Sequence, residues 1–157
     1  MSEEIEKKFL LRRLPAGVGK GTAIRQGYLS VGDPEVRVRA KGAKFYLTGK
    51  SGEGFVRREE EYEISREIFE LLWSLTENAR IEKTRYEIAG ADGLTWEIDE
   101  FHSALTKGLF IAEVELPDES FAPEIPPAIA EIIERDVTDD AAYKNKNLAT
   151  GKTSVEN

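Results

Sequence analysis

Glu4, Glu6 and Lys8 stand two residues apart in the opening segment Glu4-Ile5-Glu6-Lys7-Lys8-Phe9-Leu10. In an extended strand alternate residues share a face. The two carboxylates and the ammonium therefore point one way, and Ile5 and Phe9 the other. Such a face is a poor start for a core and a good start for a site that takes a metal ion and an anion. The same device returns along the chain. Arg37, Arg39 and Lys41 alternate with Val36, Val38 and Ala40; Lys50 falls with Tyr46 and Thr48, opposite Phe45 and Leu47. Glu59, Glu61 and Glu63 oppose Tyr62 and Ile64, and Lys83 and Arg85 alternate with Thr84 and Tyr86. Glu97 and Asp99 alternate with Trp96 and Ile98, and Glu113 and Glu115 flank Val114.

An antiparallel sheet with one wet face also alternates. Here, however, the charges are sorted by strand, some purely acidic and others purely basic, where an ordinary wet face would mix in Ser, Thr, Asn and Gln. Small barrels are filled by inward side chains, so a charged inner face reads as a site and not a core. Burying like charges together is costly unless each is compensated, and a ligand carrying both signs compensates both. Carboxylate oxygens suit Mg²⁺ or Mn²⁺, and Arg and Lys suit phosphate oxygens. A metal–triphosphate meets both requirements.

The elements that must position these residues are short alternating segments over 3–11, 23–30, 35–41, 44–50, 56–64, 80–88, 94–101 and 110–116, split by Gly, Pro and Asp. Their spacing predicts a mainly β (α+β) fold, an eight-stranded antiparallel closed barrel with helices packed on the outside to cover its apolar face. Ser65 is placed to cap a helix with Ile68, Leu71, Leu72 and Leu75 on one stripe. Pro126-Pro127 opens a second helix carrying Ile129, Ile132 and Ile133. Thr138 caps a third, with Asp139 and Asp140 in its first turn, running to about Ala149. The reading is one domain over 1–150 with a small polar tail over 151–157.

A chain of 157 residues is long enough for a sizeable core. Its net charge of −8 argues against a nucleic-acid partner, which needs a basic surface, but a local basic pocket can still oppose that sign. No run approaches the roughly 18 apolar residues of a membrane helix, so no membrane partner is expected. The acidic opening lacks an apolar leader segment. The absence of cysteine rules out thiolate metal sites and fits a reducing compartment. The expectation is a cytoplasmic protein, and an uncovered apolar outer face could support a homodimer. The single histidine, His102, reads as a surface or turn residue, and Gly17-Val18-Gly19-Lys20-Gly21-Thr22 as a loop without phosphate-loop spacing.

The ordered series Glu4-x-Glu6-x-Lys8, Arg37-x-Arg39, Lys50, Glu61-x-Glu63, Lys83-x-Arg85, Asp99 and Glu113-x-Glu115 resembles the CYTH superfamily, the triphosphate tunnel metalloenzymes. Tyr143-Lys144-Asn145-Lys146 is similar to the C-terminal signature of its short bacterial members, and the resemblance covers nearly the whole chain. It implies a tunnel open at both ends that binds a triphosphate with Mg²⁺ or Mn²⁺. Length and motifs are similar to the short bacterial enzymes that split inorganic tripolyphosphate into phosphate and pyrophosphate. Other triphosphate chemistry stays open: a nucleoside or thiamine triphosphatase, an adenylate cyclase, or a non-catalytic module that binds polyphosphate or nucleotides. The His-Phe pair associated with the cyclase branch is missing upstream of the first motif.

By that resemblance Glu4, Glu6, Glu113 and Glu115 are the metal carboxylates, with Asp99 close to them. Lys8, Arg37, Arg39, Lys50 and Arg85 are the phosphate clamp, with Lys83 as a further member and Lys144 or Lys146 reaching a tunnel mouth. Glu6 or Glu63 would orient the attacking water, and Lys8 would act on the water or the leaving group. Glu61, Glu63, Lys83 and Glu97 read equally as functional or as braces for neighbouring charges.

Overall fold

The computed structural model describes residues 2–52 and 55–151. Its strands are β1 (Ser2–Leu11), β2 (Thr22–Ser30), β3 (Glu35–Lys41), β4 (Lys44–Ser51), β5 (Val56–Ile64), β6 (Arg80–Ala89), β7 (Thr95–Phe101), β8 (Phe110–Glu115) and β9 (Ile133–Asp136). Its helices are α1 (Arg66–Trp73), α2 (Pro127–Ala130) and α3 (Asn145–Thr150), with a 3₁₀ turn over Ala141–Tyr143. The first eight strands form an antiparallel ring in the order β5-β4-β3-β2-β6-β7-β8-β1, closed by pairing of β1 with β5. The fold is mainly β: a closed eight-stranded barrel with one extra strand.

Closure is short. β1 pairs with β5 only over Ser2–Ile5. Farther along, with β8 holding the other edge, the same edge of β1 pairs with β9 at Phe9–Leu11. The Val137 N–H then donates to the Lys8 carbonyl (2.9 Å), and the Lys8 N–H to Thr138 Oγ1 (3.0 Å). The C-terminal stretch therefore occupies the upper part of the seam, satisfying backbone groups that would otherwise lack partners.

Two apolar clusters lie outside the barrel, on the parity opposite to the charges. One joins Ile5, Phe9, Trp96, Ile98, Ala112 and Val114 to Ile129 and Ile132 around α2; the other joins Val38, Ala40 and Phe45 to Phe69 of α1. A third lies inside. Leu10, Tyr28, Ile81, Phe101 and Ile111 have the inward parity, and they pack against Val137, Ala142, Tyr143, Leu148 and Ala149. One end of the barrel is thus an apolar core filled by the C-terminal segment, and the implied opening at both ends is corrected to one filled end. An apolar rim left open would keep its surface in water, and α3 removes it.

The three expected helices are also corrected. α1 starts as expected, with the Ile68 N–H donating to Ser65 Oγ at 3.1 Å. It buries Phe69 and half-buries Leu72 and Trp73, leaving Ile68, Leu71 and Leu75 at 47%, 66% and 67% exposure. The Phe69 ring lies 5.0 Å from Phe45 and 5.5 Å from Trp73, and large aromatic surfaces outcompete an aliphatic stripe for one barrel face. The second helix stops at Ala130 because Ile133 begins β9 on the open edge of β1. Thr138 caps no helix: its hydroxyl donates to Asp136 Oδ1 at 2.6 Å. Asp140 instead caps the 3₁₀ turn, accepting from the Ala142 N–H at 3.0 Å, and α3 begins only at Asn145. The tail expected over 151–157 lies outside the described residues except for Gly151, which ends α3 at φ 72°.

Candidate active site

Inward parity brings the charged rows to a cavity of about 180 Å³. Glu4, Glu6, Glu113 and Glu115 form its acidic side; Arg37, Arg39, Lys50, Lys83 and Arg85 form its basic side. An adjoining pocket shares Glu4, Glu6, Arg37 and Lys50 and adds Lys8 and Lys144. Cross-strand register explains the convergence. Lys8 faces Glu113 and Glu6 faces Glu115 on β1–β8, Arg85 faces Asp99 on β6–β7, and Glu35 faces Lys50 on β3–β4, which in turn faces Glu59 on β5. Opposite charges directly across a ladder support each other, whereas Glu6 and Glu115 are like charges that repel.

Specific ion pairs divide the work. Asp99 is 1% exposed and holds Lys83 Nζ at 2.7 Å, Arg85 Nε at 2.8 Å and Arg85 Nη2 at 2.9 Å. Both its oxygens are taken by cations, and it lines neither cavity. Arg85 Nη1 reaches Glu97 at 3.3 Å. Lys8 Nζ donates to the Tyr143 carbonyl at 3.1 Å and faces Glu113 at 3.6 Å. Lys50 Nζ sits between Glu4 at 3.0 Å and Glu59 at 3.4 Å, and Arg39 pairs with Glu61 at 3.0 Å. Glu63 has the inward parity but is exposed and lines neither cavity; Lys146 lines neither as well.

The acidic side is compensated unevenly: burial opposes ionisation of Glu4, but Lys50 holds that carboxyl below its ordinary value. Burial, then Glu113 and Glu4, pushes the Glu6 carboxyl up to about 8. Burial, then Glu4 and Glu97, also raises Glu115. Burial opposes ionisation of Glu113, yet Lys8, with Lys83 and Arg85 behind it, holds this carboxyl down to about 2. Among the described residues no three acidic or histidine groups are drawn together tightly enough to grip one ion. Lys8 pairs with Glu113 and Lys50 with Glu4, and a hard divalent cation would favour the ionised Glu6 against the burial and the neighbouring Glu113 and Glu4 charges that keep its proton on. The donor set fits such a cation.

A pH dependence follows. The ordinary glutamate value is 4.5, so between there and about 8 the folded state holds a proton on Glu6 that the unfolded chain has lost. Stability from this group is complete below the lower value and falls as pH rises through the higher one. Chemical denaturation with a chelator, from pH ~5 to ~9, is expected to show that fall, and a divalent cation to flatten it. Identical curves with and without the cation would place Glu6 away from any metal.

Sequence reasoning gave no role to several lining residues. Arg57 and Glu35 pair at 3.3 Å beside the adjoining pocket, and the parity they share with Glu59 and Arg37 was available to find them. Gln26 and Asn145 line the larger cavity but are neutral, so charge alternation could not flag them.

The model of the CYTH domain matches residues 2–149. An inorganic triphosphatase of Nitrosomonas europaea is 41% identical over 150 residues, covering 93% of this chain and 96% of that protein. An inorganic triphosphatase of Acetivibrio thermocellus is 44% identical over 152 residues, covering 94% of each. The crystal structure of the inorganic triphosphatase NE1496 superposes with a TM-score of 0.66 at 38% identity, over 93% of this chain and 97% of that one.

Proposed function

The chain belongs to the CYTH domain family, and we propose that it hydrolyses inorganic triphosphate to phosphate and pyrophosphate with Mg²⁺ or Mn²⁺, in the cytoplasm. The observation that carries this reading is one cavity with opposed acidic and basic sides. Glu4, Glu6, Glu113 and Glu115 would hold the metal. When bound, a divalent ion neutralises phosphoryl oxygens and lowers the pKa of a water. Arg37, Arg39, Lys50 and Arg85 would hold the phosphate chain in line. Phosphoryl transfer spreads charge over the phosphoryl oxygens in a loose transition state, so positioned cations carry most of the catalysis. Lys8, anchored on the Tyr143 carbonyl, keeps further N–H groups for a phosphoryl or leaving oxygen. Between Glu6 and Glu63, the cavity position favours Glu6 for orienting the water. Asp99 and Lys83 act as braces: Asp99 fixes Arg85 by two hydrogen bonds, and Lys83 balances the remaining charge.

The test is a panel of inorganic, nucleoside and thiamine triphosphates with each metal, following phosphate, pyrophosphate and cyclic nucleotide. Inorganic triphosphate is expected to turn over fastest, releasing phosphate and pyrophosphate in equal amounts. Preferential turnover of an organic triphosphate would overturn the substrate. Tight binding of all with no product would overturn the enzyme. Arg39→Ala is expected to raise KM and lower kcat together, because the clamp acts on both ground and transition states; an unchanged KM would take Arg39 off the substrate.

A further inference from the structure

We infer that Gln26 is a phosphate-binding residue of this cavity, a neutral amide donor set between the arginines; this rests on the triphosphate reading above. Gln26 is 0% exposed and yet lines the cavity. On β3 its register partner is Arg39, and the next inward residue of β2, Tyr28, faces Arg37. One end of its amide lies 3.1 Å from the Tyr28 hydroxyl, and the other end has no partner. Among the described residues the buried side-chain polar atoms without a partner are Gln26 Oε1, Arg37 Nε, Arg39 Nε, Thr48 Oγ1 and, on the outer face, Trp96 Nε1. All but the last belong to adjacent inward rows of β2, β3 and β4. Folded chains rarely leave such atoms unpaired, so a group of them on one wall points to a ligand that completes their bonds.

Hydrogen-bond logic identifies what the free end of Gln26 offers. As placed, the Gln26 amide nitrogen donates to the Tyr28 hydroxyl. Among the described residues no hydrogen bond then takes the tyrosine's own proton, while the Gln26 amide oxygen stands unpaired. The two ends of an amide are told apart only by their bonds. With the amide turned over, Tyr28 donates to the amide oxygen, and the Gln26 NH₂ is left open on a residue that lines the cavity. The open groups on cavity-lining residues are then Gln26 N–H, Arg37 Nε–H and Arg39 Nε–H. They are donors converging on a ligand that accepts, as the non-bridging oxygens of a phosphate chain do. A third cation here would be repelled by Arg37 and Arg39, whereas an amide adds a bond without adding charge.

The test compares Gln26→Leu and Gln26→Glu with the unaltered protein. It uses calorimetric binding of tripolyphosphate with a chelator present, steady-state kinetics with Mg²⁺, and thermal unfolding as a check on folding. Gln26→Leu is expected to weaken binding and raise KM about 10-fold or more. Gln26→Glu is expected to weaken them further, because its carboxylate would face phosphoryl oxygens. Should the leucine variant fail to fold, Gln26→Asn withdraws the amide by one carbon and is expected to raise KM as well. Variants that fold and bind tripolyphosphate as tightly as the parent would overturn the inference while leaving the triphosphatase reading intact. If the parent itself neither binds nor splits tripolyphosphate, the broader reading has failed.

Discussion

Asp99→Asn is expected to cost about 3–5 kcal/mol of stability, and most of the turnover with it. Asp99 is the shared counter-charge of Lys83 and Arg85, and all three are buried. The asparagine keeps the shape but removes the charge, leaving two cations in a low-dielectric wall. Burial already pulls the Lys83 ammonium down to about 8 even with Asp99 beside it, while Arg85 cannot release its proton. Equilibrium denaturation measures the loss. Pairing Asp99→Asn with Lys83→Met removes one orphaned cation and is expected to restore part of the stability, with a coupling outside simple additivity. If Asp99→Asn unfolds at the parent's denaturant midpoint, the brace role is wrong. Catalysis should fall even in the folded fraction, because Asp99 aims Arg85 through two hydrogen bonds.

The other large effect is expected at the acidic wall. Glu4→Gln and Glu6→Gln should each lower kcat/KM by about 10³-fold, on the order of 4 kcal/mol of transition-state stabilisation. Each removes a carboxyl that the proposed metal side would use as a ligand, while nearly preserving volume. They should differ in stability. Glu4→Gln breaks the 3.0 Å pair with Lys50 and should destabilise the cation-free protein. Glu6→Gln removes a carboxyl that is already reluctant to ionise and should be neutral or stabilising without metal. Calorimetric titration with Mn²⁺ separates metal loss from damage to the clamp: both variants should bind the ion more weakly. Parent-like Mn²⁺ affinity in both would move the metal elsewhere. Glu115 is exposed at the cavity edge, so Glu115→Gln should have a smaller effect than either.

Much of this site was legible from spacing because parity is a local property. Glu4, Glu6 and Lys8 share a face in any extended strand, whatever the strand pairs with. The same holds for Arg37 with Arg39, for Lys83 with Arg85, and for Glu113 with Glu115. Two of the strand limits, 35–41 and 56–64, match the observed elements, and the other six differ by one residue at one end. Gln26 was not legible in this way, since a neutral residue on an inward position leaves no trace in a charge pattern.

What the amino-acid order determined alone was therefore the sorting of side chains into an inner charged set and an outer apolar set, and with it the kind of ligand. Tertiary structure decided the rest. Register settled that Asp99 is saturated by Lys83 and Arg85 while Glu6 is left among carboxylates, a distinction between residues of one type on equivalent positions. Closure of the ring over only Ser2–Ile5 left an edge of β1 free, and pairing with that edge took Ile133, expected on the second helix, into the strand Ile133–Asp136. The C-terminal segment could then enter the seam and fill one end of the barrel. These outcomes depend on which distant strand edges remain unpaired, and that information exists only once the chain has closed on itself.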